Sequence, residues 1–478
     1  MEQIISKKSI HIISFNYEKS FDDITNIIQQ SPLFEDYNIS ITKDVKLNKY
    51  IQEKFINNSF CRAYRLKPND KYNLYFDRNK TRKTKLKFTG NNKNIKYKSN
   101  FEFNLLNVWA YYYGKNIGYL VIEYEIFTND IEDFIGANYI LKMLKGDQLT
   151  SIELVMKKGK DTFESKIVNL KSFINNILET SFATQSDAFE NEAITYTGLL
   201  LNNDFDSSVI AKYTALLSRG YKLSYKLTNE EISEIITSKF DNITWGASLE
   251  GISCIAKLTD DNIANNFLEN NFMSDKGAFN RVYFFIYLMA LNQRHTLITV
   301  NDKLEKIYLK NTQFSLSTFS NQVAKLKQII SEVNVNYINR DITQNSIYKS
   351  YYENIYSSLN IKSLISDYEM KVSGLEQLYN ILLLRQSKQL EEIELRREKT
   401  LRVITKTGLI IALIAFLPNL ETVIRSILLE QNINIASYPL MGTLLIIGIT
   451  GLIIYQIIIF IIKTKKFNLK ENCDGTKN

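Results

Sequence analysis

The sequence predicts an α+β domain at the start of the chain, a long helical stalk after it, and two transmembrane helices near the C-terminus. Three observations lead to this fold class. The first part contains short β-branched segments, the second has unbroken helical periodicity, and two apolar runs lie near the end. With 478 residues, 45% of them hydrophobic, the chain can bury a core and form more than one domain.

The predicted domain boundaries follow these changes in pattern. By residue number, we expect an α+β sensor and ligand-binding domain over 1–290, a helical stalk or coiled coil over 291–400, a first transmembrane helix over 401–426, a short extracytoplasmic loop over 427–437, a second transmembrane helix over 438–462 and a basic cytoplasmic tail over 463–478. Only 4 Pro and 17 Gly occur, which fits long regular elements with few hinges.

Segments that alternate in polarity, or that carry β-branched residues, mark the strands of the first domain. The predicted strands are 9–17, 37–44, 85–90, 118–127 and 150–156. The stretch "WAYYYGKNIGYLVIEYEI" predicts two strands joined by a tight turn at 114–118. The stretches "DIEDFIGANYILKMLKG" and "SVIAKYTALLSRG" have helical periodicity, and each stops at a glycine. Mixed signals of this kind favour an α+β domain.

Composition argues against several classes of protein. Cys61, Cys254 and Cys473 lie far apart, with only His11 and His295 as histidines, so neither a disulfide framework nor a zinc site is expected. No Walker loop, His-Glu-x-x-His, Gly-x-Ser-x-Gly or Gly-x-Gly-x-x-Gly motif occurs. We therefore predict no catalytic residues, no metal ligands and no enzyme. The formal charge of +8 suits an anionic membrane face or a phosphate-bearing ligand, and no direct nucleic-acid binding is expected.

A heptad pattern precedes the apolar runs. The spacing alternates between four and three residues through Ile361, Ile365, Tyr368, Val372, Leu375, Tyr379 and Leu382. The same seam then becomes polar at Gln386 and Gln389, beside "EEIELRREKT". Pairs of opposite charge four residues apart in this stretch support an exposed helix. A solvated coiled-coil face explains the charges, whereas the Gln pair favours a hydrated funnel.

Two apolar runs predict membrane spans. The run 438–462 has no charge and exceeds the roughly 20 residues that a spanning helix needs. The run 407–420 is shorter and becomes long enough only when counted from Leu401, with Arg402 and Lys406 at the interface. A buried amphipathic hairpin is the alternative. Basic residues flank both runs on their outer sides, which predicts a multi-pass protein of the bacterial inner membrane with both termini in the cytoplasm.

The heptad seam continues into the first apolar run. Its positions there, which we predict to line a pore, are Thr400, Ile404, Thr407, Ile411, Ala415, Asn419 and Thr422. Small polar and aliphatic side chains alternate along this face. Several copies around an axis would form polar rings separated by hydrophobic constrictions, as in ion pores. Single threonines in a helix are also often simply packed against neighbours.

The membrane end resembles that of CorA-type divalent cation channels. A stalk helix runs directly into "AFLPNLETVI", and a short loop then leads to "SYPLMGTLLIIGITGLIIYQIIIFIIKTKKF" with its basic tail. The resemblance covers residues 321–467. It implies a funnel-shaped homo-oligomer, a pentamer in most of the family, that lies in a lipid bilayer and passes a divalent cation. The Gly-Met-Asn filter of that family does not occur here, so magnesium selectivity is not implied.

Two further segments resemble a subgroup of that family. "WGASLEG" and "YFFIYLMALNQRHTL" are similar to segments of CorA-like proteins encoded beside type III CRISPR systems. That resemblance implies a membrane effector of antiviral defence gated by a nucleotide messenger, a conjugate of S-adenosylmethionine and AMP.

These segments supply the candidate ligand-binding residues. Trp245 could stack on a base, the Ser248 hydroxyl lies beside it in sequence, and Glu250 could accept a hydrogen bond from a ribose hydroxyl. A tight turn with a buried tryptophan is the alternative. Asn292 follows an apolar helical run, and Arg294 could clamp a phosphate or carboxylate, or could cap that helix.

The sequence therefore predicts a CorA-like ion channel gated by a nucleotide messenger. Two alternatives stay open, a constitutive divalent metal cation transporter and a membrane-anchored nucleotide-binding protein or enzyme.

Overall fold

A computed structural model describes most of the first 310 residues and a long C-terminal helical region. The described residues are 4–17, 19–31, 33–37, 47–56, 60–67, 85–89, 100–114, 116–143, 151–157, 163–169, 183–185, 192–202, 204–310 and 342–430, with single helical positions at 324, 328, 331, 448, 451, 452, 455, 456 and 459. The chain divides into two compact units, Met1–Gln377 and Leu378–Asn478.

A mixed β-sheet forms the centre of the first unit. Its thirteen strands, within the described ranges, are β1 (Ile4–Tyr17), β2 (Phe34–Tyr37), β3 (Cys61–Leu66), β4 (Lys85–Thr89), β5 (Asn100–Tyr113), β6 (Ile117–Ile126), β7 (Ser151–Lys157), β8 (Phe163–Asn169), β9 (Ala183–Gln185), β10 (Ile194–Leu201), β11 (Ile236–Phe240), β12 (Ile243–Ala247) and β13 (Gly251–Lys257). The strand order is β11-β12-β13-β10-β1-β6-β5-β4-β7-β8, with β3 also paired to β5, β2 to β3 and β9 to β1.

The long strand β1 joins the two halves of this sheet. It pairs antiparallel with β10 on one side, where His11 faces Thr195, and with β6 on the other, where Ile10 faces Glu123. β10 and β13 run parallel, and the other pairs are antiparallel. β10 is buried along its whole length, including the polar side chains of Thr195 and Thr197.

Helices connect and follow these strands. They are α1 (Phe21–Gln30), α2 (Glu53–Ile56), α3 (Ile131–Lys142), α4 (Ser207–Arg219), α5 (Asn229–Ile235), α6 (Asn262–Asn266), α7 (Phe284–Lys310), α8 (Ser346–Ser358) and α9 (Ile361–Glu430), with a 3₁₀ turn at Leu47–Lys49 and π-helical turns at Phe267–Phe272 and Phe279–Tyr283.

The sheet separates two hydrophobic cores. On one face, side chains such as Ile12 and Tyr119 pack with α7, α8 and the first turns of α9. On the other face, side chains such as Phe15 and Leu120 pack with α1, α3 and α4. Residues of opposite parity along each strand point to opposite faces, which explains how both cores form from the same strands.

The helix α9 uses the predicted heptad seam in an unexpected way. Ile361, Ile365, Tyr368 and Leu375 are buried in the core of their own chain, against the sheet face that α7 also covers. The first turns of the seam therefore pack within one subunit and are not available for a coiled coil between subunits. From Leu383 to Leu409 every residue of α9 is exposed in the single chain.

The structure contradicts the membrane part of the predicted fold class. Within the ranges given above, no helix is both long enough and apolar enough to cross a bilayer. The first predicted span, 401–426, lies in α9, where the uncharged run 407–420 rises only roughly 21 Å against a hydrocarbon core of roughly 30 Å. Arg402 and Lys406 precede this run, and Glu421 and Arg425 follow it.

This finding overturns two predictions, the pair of C-terminal transmembrane helices and the multi-pass location in the bacterial inner membrane with both termini in the cytoplasm. The second predicted span, 438–462, and the basic tail that follows it lie outside the described residues except for a few single positions.

Candidate functional site

A cavity of about 620 Å³ opens on the sheet face that α7 covers. Strands β1, β2, β3, β5 and β6 form its floor, and the segment 273–284, which leads into α7, forms part of its wall. Its volume lies within the roughly 300–1,000 Å³ that small-molecule sites occupy. We call it the sheet-face cavity.

Strand alternation explains why polar residues meet there. Ile10 and Ile12 of β1 belong to the apolar face, and Lys8 is the next residue of the same parity. In β6 the apolar pair Tyr119 and Val121 leads to Glu123 in the same way. In β3, Cys61 and Ala63 are followed by Arg65, and in β5 the corresponding positions are Asn107 and Trp109. One apolar face thus becomes polar at the same end of four strands.

An ion pair lies at the floor of the cavity. Lys8 Nζ contacts Glu123 Oε1, and Asn107 Nδ2 donates a hydrogen bond of 2.6 Å to Glu123 Oε2. Lys8 also lies 3.2 Å from Asp275 Oδ1 in the wall. Burial lowers the pKa of Lys8, but the two carboxylates outweigh this effect and hold the pKa above its ordinary value. Lys8 is therefore a cation that is shared between Glu123 and Asp275.

Three residues that line the cavity each have a buried N–H group with no hydrogen-bond acceptor in the described part of the chain. These groups are Arg281 Nη1, Arg65 Nε and Trp109 Nε1. Arg65 Nε lies 3.8 Å from Glu35 Oε1, which is beyond hydrogen-bond distance. A buried donor without an acceptor costs about 1–3 kcal/mol, so native structures rarely keep one without a reason.

Aromatic side chains line the same space. Tyr37 and Trp109 face each other with ring centroids 6.1 Å apart. Burial raises the pKa of the Tyr37 hydroxyl, and the charges of Arg281 and Arg65 partly oppose that rise. Tyr37, Arg65 and Arg281 all line the cavity. The cavity therefore combines flat apolar surfaces with cationic donors.

The wall of the cavity depends on one close packing contact and one hydrogen bond. Gly198 of β10 lets Phe279 pack directly on the strand, because a Cβ at Gly198 would lie 2.6 Å from Phe279 Cε1. Asn280 Nδ2 donates to Ser274 O at 2.7 Å and so fixes the segment, while its Oδ1 is buried and lacks a donor among the described residues. Arg281 follows directly and extends into the cavity.

Such a site can hold an anion with a planar group attached. Arginine side chains match the geometry of phosphate and carboxylate oxygens, and aromatic rings accept a stacked base or similar plane. The Asn280 oxygen could accept a hydrogen bond from an amine or hydroxyl of the ligand. Within the described ranges, no group of three or more His, Cys, Asp or Glu side chains could hold a metal ion.

The structure places Trp245 in a core rather than in a cavity. It lies on β12, and its ring centroid is 4.7 Å from that of Tyr351, 5.0 Å from Tyr283 and 5.7 Å from Phe279. Packing of this kind leaves the ring surrounded by aromatic neighbours. The indole is positioned to hold α8 and the segment 273–284 against the sheet.

Ser248 and Glu250 form the turn between β12 and β13. Ser248 Oγ lies within hydrogen-bond distance of two acceptors, Glu250 Oε2 at 2.7 Å and Ser218 O at 2.9 Å, and Ser248 N donates to Gly251 O. The backbone carbonyl of Glu250 accepts from Thr195 N. These bonds make the segment a tight turn that joins the strands to α4.

Asn292 and Arg294 lie on α7. Asn292 is buried, and neither of its side-chain polar atoms has a partner in the part of the chain that the structure describes. Arg294 donates from Nη1 to the carbonyl of Leu359, at the end of α8, and burial lowers the pKa of its guanidinium. Arg294 thus caps a neighbouring helix instead of its own. None of the five predicted ligand-binding residues lines the sheet-face cavity.

The predicted pore-lining positions share one long helix. Thr400, Ile404, Thr407, Ile411, Ala415, Asn419 and Thr422 all lie on α9 and are exposed in the single chain. Thr400 and Thr407 donate their hydroxyl groups to backbone carbonyls one turn earlier. The pore assignment stays a prediction.

Comparison with known proteins adds no family. No protein-family model matches the chain, and no curated protein sequence matches it either. The fold and the sheet-face cavity are thus the basis for a functional proposal.

Proposed function

We propose that this protein is a nucleotide-binding sensor whose ligand occupies the sheet-face cavity. One observation carries the proposal: Arg281, Arg65 and Trp109 line one cavity, and each has a buried N–H donor without an acceptor among the described residues. A bound phosphate or carboxylate would supply those acceptors and remove the cost of leaving them unsatisfied.

The cavity walls support a nucleotide over a simple anion. Tyr37 and Trp109 offer aromatic faces beside the cationic groups, and stacking on such faces does not depend on one particular base. The volume of about 620 Å³ exceeds what inorganic phosphate needs. The nucleotide messenger implied by the sequence resemblance, a conjugate of S-adenosylmethionine and AMP, has the chemistry required. It therefore belongs among the ligands to be tested.

We limit the proposal to binding. The ion-channel function, its gating and the alternative as a metal transporter rest on the resemblance alone and stay predictions, as does the absence of enzymatic activity. The membrane helices on which the channel depended are contradicted within the described residues.

The test is calorimetric titration of the full-length protein with ATP, AMP, S-adenosylmethionine and the S-adenosylmethionine–AMP conjugate. We compare wild type with Arg281→Gln and Arg65→Gln. Each substitution removes a charge-assisted hydrogen bond, so we expect about ten- to a hundredfold weaker binding of the preferred ligand.

Strand β3 offers a matched control. Arg62 lies on the same strand as Arg65 but on the opposite face, where it pairs with Asp22 at 3.1 Å. Arg62→Gln should leave the affinity unchanged. Binding that survives both Arg281→Gln and Arg65→Gln, or the absence of binding by every nucleotide tested, would overturn the proposal.

A further inference from the structure

Lys8 contacts two carboxylates of very different character. Glu123 is only 3% exposed and is also held by Asn107, so it is a fixed partner. Asp275 is 89% exposed and reaches Lys8 from the cavity wall at 3.2 Å. In the part of the chain that the structure describes, the Asp275 carboxylate contacts the Lys8 side chain. Because an ion pair with one exposed partner contributes little to stability, Asp275 can be exchanged at small cost.

Asp275 also lies between two π-helical turns. The connection 273–278 joins the turns Phe267–Phe272 and Phe279–Tyr283. Such turns are rare, and they occur frequently at functional sites. Asn280 and Arg281, which line the sheet-face cavity, lie in the second of these turns. A movement at Asp275 would therefore reach the residues that we expect to bind the ligand.

The segment contacts the aromatic core on both sides of Asp275. Phe272 lies 6.2 Å from Trp245 and Phe279 lies 5.7 Å from it, measured between ring centroids. The Trp245 ring also packs on Tyr351 of α8. The connection 273–278 thus links the cavity to the helical layer over the sheet.

We propose that Asp275 is an internal competitor for the anionic group of the ligand, and that ligand binding displaces it from Lys8 and releases the connection 273–278. This inference rests on the proposed function and adds its regulation. The Asp275 carboxylate stands where a ligand phosphate or carboxylate would be held, so every binding event includes breaking one intramolecular ion pair. Release of the connection then gives the helical layer a signal that the cavity is occupied.

The test compares full-length wild type with Asp275→Asn by calorimetric titration with ATP and, separately, with inorganic pyrophosphate. Removal of the competitor should tighten the binding of each anion roughly two- to fivefold, the range expected for losing one weak ion pair. Glu269→Gln is the matched control, because Glu269 is exposed in the same segment and its substitution makes the same change in net charge. It should bind both anions as wild type does.

A second measurement follows the connection itself. Amide hydrogen exchange at residues 273–278 should accelerate when ATP is added to wild type, and in Asp275→Asn it should be fast with or without ATP.

The outcomes separate this inference from the proposed function. If no nucleotide binds to wild type, or if binding ignores Arg281, the nucleotide site itself is refuted. If binding needs Arg281 but Asp275→Asn is no tighter than Glu269→Gln, or if ATP slows exchange at 273–278, only the competition by Asp275 is refuted. Tightening with pyrophosphate as well as ATP would assign the competition to the phosphate group rather than to the base.

Discussion

His11 gives the folded chain a pH dependence that can be calculated from its surroundings. Burial lowers its pKa to about 4, and the nearby charge of Lys142 lowers it further, while hydrogen bonds to Asn138 and the Leu141 backbone oppose this. Between pH 6.5 and 4 the unfolded chain binds a proton at this site and the folded chain does not. The contribution of His11 to the free energy of unfolding is therefore fully present above pH 6.5 and is lost as the pH drops toward 4.

We expect the free energy of unfolding to lose about 3 kcal/mol from His11 over that interval. Urea denaturation of wild type and His11→Gln between pH 5 and 7.5 measures this contribution. The substitution should flatten the curve above pH 5, where few carboxylates titrate. Parallel curves for the two proteins would show that the pKa of His11 is the same in the folded and unfolded chains.

The cavity residues also show which part of the candidate site a single strand of sequence can indicate. Charged residues on an apolar strand face are a local signal, and "IEYE" places Glu123 at the period of Tyr119 and Val121. The tryptophan and glycines of "WGASLEG" predict a ligand site elsewhere. In the structure Trp245 packs against a core and Ser248 and Glu250 form a turn, and their role in ligand binding stays a prediction.

At the scale of elements, the packing between β10 and the cavity wall leads to a prediction for Gly198. An alanine there would put its Cβ within 2.6 Å of Phe279 Cε1 and 2.9 Å of Met273 Cε. Both side chains are buried and have little room to move. We expect Gly198→Ala to lower the free energy of unfolding by about 1–3 kcal/mol, measured by urea denaturation.

Gly374 provides the control with the opposite sign. It lies inside α9, and nothing comes within 4 Å of a Cβ placed there. Gly374→Ala should stabilise the chain by about 0.5–1 kcal/mol, since alanine favours a helix and has less freedom to lose. If Gly198→Ala left the free energy of unfolding unchanged or raised it, as Gly374→Ala should, the close contact between β10 and Phe279 would be refuted.

Strands were the most predictable elements. The segments predicted at 85–90, 118–127 and 150–156 are confirmed as β4, β6 and β7, and the turn between β5 and β6 lies where expected. Alternation and the spacing of glycines were sufficient for these. β10 and β13 were not among the predicted strands; both are almost wholly buried, and β13 has no regular alternation. The first membrane helix was predicted from an apolar run whose charged ends count against a span, whereas the second, 438–462, was predicted from an uncharged run that lies outside the described residues except for single positions.

At the scale of the whole molecule, the candidate site could not be predicted from the sequence. Lys8, Arg65, Trp109, Glu123 and Arg281 come from β1, β3, β5, β6 and the π-helical turn before α7, and none is near another in the chain. Their meeting depends on the strand order, which places β6 between β1 and β5 and adds β3 at the far side of β5. No local pattern encodes that order, so the site became visible only with the topology.

The helix α9 is where the predicted self-association of the chain can be tested. Its first turns are buried in the core of the first unit, whereas residues 383–409 are all exposed in the single chain and include Leu384, Ile404 and Leu409. A helix with no buried face is only weakly protected from amide exchange, because most helical stability in proteins comes from packing one face against other elements. Exposed apolar residues in such number are typical of surfaces that contact other chains.

We expect amide exchange in residues 378–430 to slow as protein concentration rises, if second copies of the chain pack on this helix as the predicted homo-oligomer requires. Exchange at residues 361–375 is the internal control and should be slow at every concentration, since Ile361 and Leu375 are buried within the subunit. Hydrogen exchange measured over a hundredfold range of concentration decides the matter. Fast exchange throughout 378–430 at all concentrations would refute self-association through α9, and slow exchange that persists on dilution would indicate a stable oligomer.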